Sequence, residues 1–253
     1  MKIKLKRKNT GNVRIFVDMD GVKVLVDAGI SARRIKSALA EIGQDIKDIR
    51  AIFVTHEHND HIKGLPSMAK QFGVPIYSRP DTFRAMSCFG DINPECVRAI
   101  GSSVRLGHVL VKAFPIPHDA ADPVGYSFIG RSKFTVVTDL GIATSTISEA
   151  LEGSDVAVLE ANHDLEMLKD GSYPQSLKQR IMGERGHLSN DAAAWTLVNL
   201  KRRPSHVFLA HLSEQNNDPD LALSTVRRIL KQQGVVGSNL IMTKQDKCVG
   251  LVV

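Results

Sequence analysis

A layered α/β fold is predicted by three features of the 253-residue sequence. Short β-branched runs recur from end to end, amphipathic helical stretches stand between them, and the residues that carry chemistry follow directly after several of the runs. The length suits one large α/β domain, a class that often reaches ~200–250 residues. No Pro/Gly/Ser-rich linker, internal repeat or low-complexity tract divides the chain, so a single domain over residues 1–253 is expected. With 43% hydrophobic and 24% charged residues, the composition is that of a soluble globular protein, which excludes disordered, collagen-like and coiled-coil classes.

The elements follow in order. Residues 13–17 and 22–26 are β-branched runs joined by Asp-Met-Asp-Gly, where Asp20-Gly21 favours a tight hairpin because both residue types tolerate a positive φ. Ser31 is the expected cap of an amphipathic helix over 32–42, with Ile35, Ala38, Leu39 and Ile42 at helical spacing and Gly43 as its stop. Residues 51–54 read as a buried strand running straight into Thr55-His56-Glu57-His58-Asn59-Asp60-His61, after which a helix resumes at 65–72. Further strands are expected at 74–77, 109–116, 126–129, 134–138, 156–160, 206–210, 240–243 and 249–252, and helices at 145–151, 190–200 and 218–233. Residues 87–103 and 170–186 show the least regular pattern.

The net charge of +6 raises the question of a nucleic-acid partner. Lys2, Lys4, Lys6, Arg7 and Lys8 supply five of the positive charges, and the remainder holds 28 basic against 27 acidic residues. Two readings of that N-terminus stay open, an edge strand defended by lysines and a phosphate contact. Cys88, Cys96 and Cys248 are odd in number and form no CxxC spacing, which argues against a disulfide framework. No apolar run approaches the ~20 residues of a membrane span, and residues 1–8 build no signal-type apolar region. A cytoplasmic protein without a membrane partner is expected.

Three of the nine histidines, His56, His58 and His61, fall within six positions, with Asp60 among them. That density is not a packing pattern. In an extended segment residues i and i+2 face the same side, so His56 and His58 offer two imidazoles to one metal and leave Asp60 and His61 for another. Imidazole and carboxylate donors suit Zn²⁺, Mn²⁺ or Fe²⁺, and one short loop does not complete two coordination shells. Candidates for the rest stand where strands end: His118 in Pro117-His118-Asp119-Ala120, Asp139 in Thr138-Asp139-Leu140-Gly141, and His211 in Ala210-His211-Leu212-Ser213. Strand ends of a layered α/β fold gather on one edge, where loops from separate segments converge.

The run His56-Glu57-His58-Asn59-Asp60-His61 matches the hallmark His-x-His-x-Asp-His, and through it the sequence resembles the metallo-β-lactamase-fold metallohydrolases. The resemblance implies a four-layer αββα sandwich with its site at one edge between two sheets. It implies that His56, His58 and His118 hold one divalent metal ion and Asp60, His61 and His211 a second, with Asp139 and a hydroxide bridging them, and that Asp27 in Val26-Asp27-Ala28-Gly29 supports the site.

More specific blocks resemble the WalJ/YycJ-type branch of predicted nucleases, over residues 11–217: residues 55–65, His118-Asp119-Ala120, Glu160-Ala161-Asn162-His163-Asp164, Gly186-His187-Leu188-Ser189-Asn190 and residues 211–217. They imply a metal-dependent phosphodiesterase, a DNA exonuclease-like nuclease, with nucleic acid as substrate and Asp60 orienting the nucleophile. Gly186-His187-Leu188-Ser189 also resembles the histidine loop of tRNA 3′-processing endonucleases, which makes His187 the candidate general acid, with Ser189 and Asn162 as candidate substrate contacts. Asn162 also reads as a helix cap followed by an exposed His163. The branch usually opens with a Ser/Gly-rich loop of which only Gly11-Asn12 remains here. His108 and His206 match nothing and read as surface or core-edge residues, and the few aromatics suggest no stacking platform. The alternative is a small-molecule ester, thioester, lactone or cyclic phosphodiester hydrolase on the same dinuclear site. A non-catalytic regulatory protein fits less well, because a structural metal site closes with four ligands on one ion.

Overall fold

The computed structural model describes residues 1–7, 13–243 and 248–252. Two seven-stranded sheets carry the chain. The first runs, in spatial order, β14 (Cys248–Val252), β1 (Lys2–Arg7), β2 (Val13–Met19), β3 (Val22–Val26), β4 (Ala51–Phe53), β5 (Ile76–Ser78) and β6 (Val97–Ala99). The second runs β13 (Asn239–Met242), β12 (His206–Ala210), β11 (Val156–Glu160), β10 (Lys133–Val137), β9 (Val124–Ile129), β8 (Val109–Pro115) and β7 (Ser103–Leu106). In each sheet a block of antiparallel pairs passes into a block of parallel ones, at β3–β4 and at β10–β11.

β4, β11 and β12, in the parallel blocks, are buried on both faces over nearly their whole length, and the alternation along the strands sorts side chains between layers. Val24, Val26, Val156, Val158, Phe208 and Ala210 enter a core between the two sheets, together with Phe53, Tyr126 and Phe128. Their neighbours point the other way. Leu25 and Ile52 pack with Ile35, Leu39, Leu65 and Met68 of the helices Ala32–Glu41 and Leu65–Phe72. Ala157, Leu159, Val207 and Leu209 pack with Ile147, Ala194, Leu197 and Val226 of the helices Ser145–Leu151, Asn190–Val198 and Pro219–Gln232. Three cores separate four layers, so the expected αββα sandwich is the architecture observed.

The edge-strand reading of the N-terminus is corrected. β1 pairs on both sides, Lys2 with Val252 of β14 and with Asp18 of β2, because Ile3 and Leu5 alternate into the inter-sheet core. Lys8, Gly11 and Asn12, on which a phosphate contact or a substrate loop would rest, lie outside the described residues. Ser31 occupies the N-cap position of its helix without a side-chain bond to it. The irregular-looking segment 170–186 contains a helix, Gln175–Met182. Residues 87–103 hold two short 3-10 turns and β6. Among the described residues no helix is long and apolar enough to cross a membrane.

Candidate metal centre

The carboxyl ends of β3, β4, β10, β11 and β12 lie at one edge, where the parallel halves of both sheets present their loops. Asp27, Asp139 and His211 each follow a strand there with φ of 61°, 63° and 59°. Left-handed backbone at a non-glycine residue costs about 1–2 kcal/mol, and here it turns three polar side chains back toward the edge. Backbone bonds tie the loops together. The Val124 N–H donates to the Thr55 carbonyl at 3.0 Å, the Gly141 N–H to Pro117 at 3.1 Å and the Ala28 N–H to His61 at 2.8 Å. Gly29 permits the last approach, since a Cβ there would lie 1.4 Å from the Asp60 carbonyl oxygen. Glu57 accepts from the Ala121 N–H at 2.8 Å and so anchors the loop of His118.

Donor atoms converge in two groups. His58 Nδ1 is 3.0 Å from His56 Nε2 and 3.4 Å from His118 Nε2. His61 Nε2 lies 3.6 Å from Asp60 Oδ2 and 3.8 Å from Asp139 Oδ2, and His211 Nε2 lies 3.3 Å from Asp139 Oδ1. A cation ~2.0–2.1 Å from four tetrahedral ligands holds them ~3.3 Å apart, so these spacings suit donors around a metal. His61 Nε2, His211 Nε2 and Asp139 Oδ2 are buried without a hydrogen-bond partner. Each such atom costs about 1–3 kcal/mol unless something takes its lone pair, and a divalent cation does so. Asp139 belongs to donor groups with His56 and His61 and with His211, which sets it between the two clusters. The residues therefore fit the ions that the resemblance implies.

Two carboxylates behind the donors orient them. Asp27 accepts from the Thr55 N–H and hydroxyl, both at 2.9 Å, and its Oδ2 faces His61 Nδ1 at 2.8 Å, leaving Nε2 for the site. Glu160 does the same from the other sheet. Its Oε1 faces His187 Nδ1 at 2.9 Å and His211 Nδ1 at 2.8 Å, while Oε2 accepts from the N–H groups of Leu140 and Leu188. A carboxylate behind a ligating imidazole sets its tautomer and raises its basicity. Glu160 is not among the sequence-predicted site residues; its signal was an acid closing a fully buried strand, Val-Ala-Val-Leu-Glu.

Electrostatics follow from this layout. Burial lowers the His56 pKa well below the usual value, helped by the nearby His61. Burial opposes the charge of His61 too, but Asp27 and Asp139 push its pKa up to about 10. His187, opposed by burial and supported by Glu160, rises to about 9, while Glu160, against its own burial, falls to about 2 beside His187 and His211.

A cleft of about 510 Å³ opens over the cluster, with His58, Asp60, His118, Asp139, His187 and His211 on its floor. Asn162 lines it, but its amide donates to the His211 carbonyl at 2.8 Å, so it positions that loop; the helix cap is Asp164 instead. Ser189 caps the helix Asn190–Val198 by accepting from the Ala192 N–H and is not among the cleft-lining residues. His163 is buried, not exposed. Trp195 lies 45% exposed on that helix, whereas Tyr173 does line the cleft. His108 is exposed and His206 starts β12 half-buried.

A family model described as a beta-lactamase superfamily domain matches residues 22–212. Exodeoxyribonuclease YycJ of Bacillus anthracis is 36% identical over 231 residues, which cover 89% of this chain and 87% of that protein. Exodeoxyribonuclease WalJ of Streptococcus pneumoniae is 36% identical over 231 residues, 88% of this chain and 86% of that one. Among solved structures, the metallo-β-lactamase fold protein YhfI from Bacillus subtilis superposes with a TM-score of 0.69 at 14% identity, covering 99% of this chain and all of that one.

Proposed function

The chain belongs to the beta-lactamase superfamily, in the YycJ/WalJ branch, and on that premise we propose that it is a dinuclear metal-dependent phosphodiesterase acting as a DNA exonuclease. The observation that carries the reading is the pair of donor groups meeting at Asp139 on the cleft floor. His56, His58 and His118 would hold one ion and Asp60, His61 and His211 the other, with Asp139 between them. Bound Zn²⁺ or Mn²⁺ supplies Lewis acidity, lowering the pKa of water and neutralising charge that develops on phosphorus oxygens.

The chain's own residues do the rest. Asp60, 43% exposed at the cleft, would orient the attacking water while it binds its ion. His187, with its pKa held near 9 by Glu160, carries a proton at neutral pH and donates it to the leaving oxygen, an effect worth roughly 10²–10⁴ in rate. Asp27 and Glu160 keep the imidazoles aimed. On this reading it acts as a single-domain protein of the cytoplasm, as its composition and cysteine pattern lead one to expect.

The test is turnover of end-labelled single- and double-stranded DNA and RNA by protein loaded with Mn²⁺ or Zn²⁺. Stepwise release of mononucleotides from DNA, abolished in His58→Ala, is the expected result. Turnover of a small ester or thioester with no cleavage of any polymer would overturn the nuclease reading in favour of a small-molecule hydrolase.

A further inference from the structure

We propose that Arg180 and Arg185 form a phosphate subsite beside the donor cluster, which takes a backbone phosphodiester next to the one being cut. The polymer in this proposal rests on the nuclease reading; the subsite itself is tested without it. The helix Gln175–Met182 turns one face to the cleft, placing Leu177, Arg180 and Ile181 on its wall at spacings of three and four residues, with Tyr173 just before it.

That wall is joined to the candidate acid. The His187 N–H donates to the Ile181 carbonyl at 2.9 Å. A Cβ on Gly186 would lie 2.2 Å from the Ile181 oxygen, and one on Gly141 would lie 2.2 Å from the carbonyl carbon of Glu184. A phosphate held by the wall is thereby kept in register with His187 and with Asp139, two residues before Gly141.

Both guanidinium groups reach toward the loop of His118. Arg185 Nε donates to the His118 carbonyl at 3.2 Å, and Arg180 donates through Nε and Nη2 to Asp119 Oδ2 at 2.9 and 2.7 Å. The Arg180–Asp119 side chains are 60% and 55% exposed, and an exposed pair is worth only ~0–1 kcal/mol, so exchanging Asp119 for a phosphate costs little. A guanidinium fork matches two phosphate oxygens at once, which a lone ammonium does not. Asp119 and Glu214 are acids that line the same cleft, so a bound phosphate relies on both guanidinium groups and on the donor cluster together. Tyr173 and Leu177 supply the apolar surface for the attached nucleoside.

The probe is thymidine 3′,5′-bisphosphate, titrated calorimetrically into the Mn²⁺-loaded protein. Arg180→Met and Arg185→Met are each expected to weaken its binding by roughly tenfold, the loss of one charge-assisted contact. On an oligonucleotide the same variants raise KM with little change in kcat, and they lose less on bis(p-nitrophenyl) phosphate, which brings no second phosphate. Arg180→Lys recovers part of the binding, and Arg228→Met on the outer helix changes none of these values. Unaltered bisphosphate binding in both variants, or equal losses on the one-phosphate and many-phosphate substrates, would overturn the subsite. If the wild type cleaves no polymer yet the bisphosphate result holds, the nuclease reading fails and the subsite stands.

Discussion

Asp27 and Glu160 perform one task from opposite sheets: Asp27, held by the Thr55 N–H and hydroxyl, faces Nδ1 of His61, and Glu160, held by the N–H groups of Leu140 and Leu188, faces Nδ1 of His187 and His211. In Glu160→Gln an amide N–H₂ faces those nitrogens and forces the other tautomer, so Nε2 of His211 carries a hydrogen where it should offer a lone pair. Metal affinity is expected to fall by about 10–100-fold, read by competition with a chromophoric chelator. His61 and its acids make a second prediction. A group held near 10 is protonated at neutral pH and must lose that proton to ligate through Nε2, so metal loading at pH 7.5 releases protons. Calorimetry in buffers of different ionisation enthalpy measures them, and His61→Ala releases fewer. The raised pKa of His187 gives a pH limb: its charge is present below the ordinary 6.5 and lost as pH rises through about 9. In the metal-free protein the His187 ring is therefore expected to lose its proton as pH rises through about 9, followed by NMR titration of the imidazole signals, and His187→Ala lacks that step.

Elements succeed here through close approaches as much as through propensity. The loop after β3 sits against the loop of Asp60 only because Gly29 has no side chain. Gly29→Ala is expected to displace the loop, lower bound metal and destabilise the fold by about 1–3 kcal/mol, measured by denaturant unfolding with metal analysis. The helix Gln175–Met182 shows why some elements escaped sequence reading. Its sequence, Gln-Ser-Leu-Lys-Gln-Arg-Ile-Met, has few apolar positions, and it is held by partners outside the helix, such as the Lys169 carbonyl, to which buried Lys178 donates. The strands at 13–17 and 22–26, by contrast, were legible because β-branched runs around Asp-Gly form a hairpin through local bonds alone.

At the scale of the whole molecule, the two sheets and three cores act as a frame that brings His118, Asp139, Glu160, His187 and His211 to the run His56–His61. A cation bound there ties both sheets together and stabilises the native state by mass action. At ~1,000 times its Kd this amounts to about 4 kcal/mol, or roughly 10 °C in Tm for a chain of this size. Chelation is expected to lower Tm by that order, and in the His58→Ala, Asp139→Ala double variant the chelator makes no difference; scanning calorimetry decides it.

The layered α/β class and the clustered histidines can be read from the chain directly, because β alternation, helical spacing and the proximity of His56, His58, Asp60 and His61 are local properties. The chain also carried the family, since the motif blocks are contiguous. The folded arrangement is needed to see that β1 lies inside its sheet, that Glu160 stands behind two imidazoles, that Ser189 caps a helix, and that Arg180, Arg185 and Tyr173 face the cleft. Each of these depends on which distant segment becomes the neighbour. That choice is made by burying apolar faces across layers, an energy summed over the whole chain that no short stretch of sequence contains.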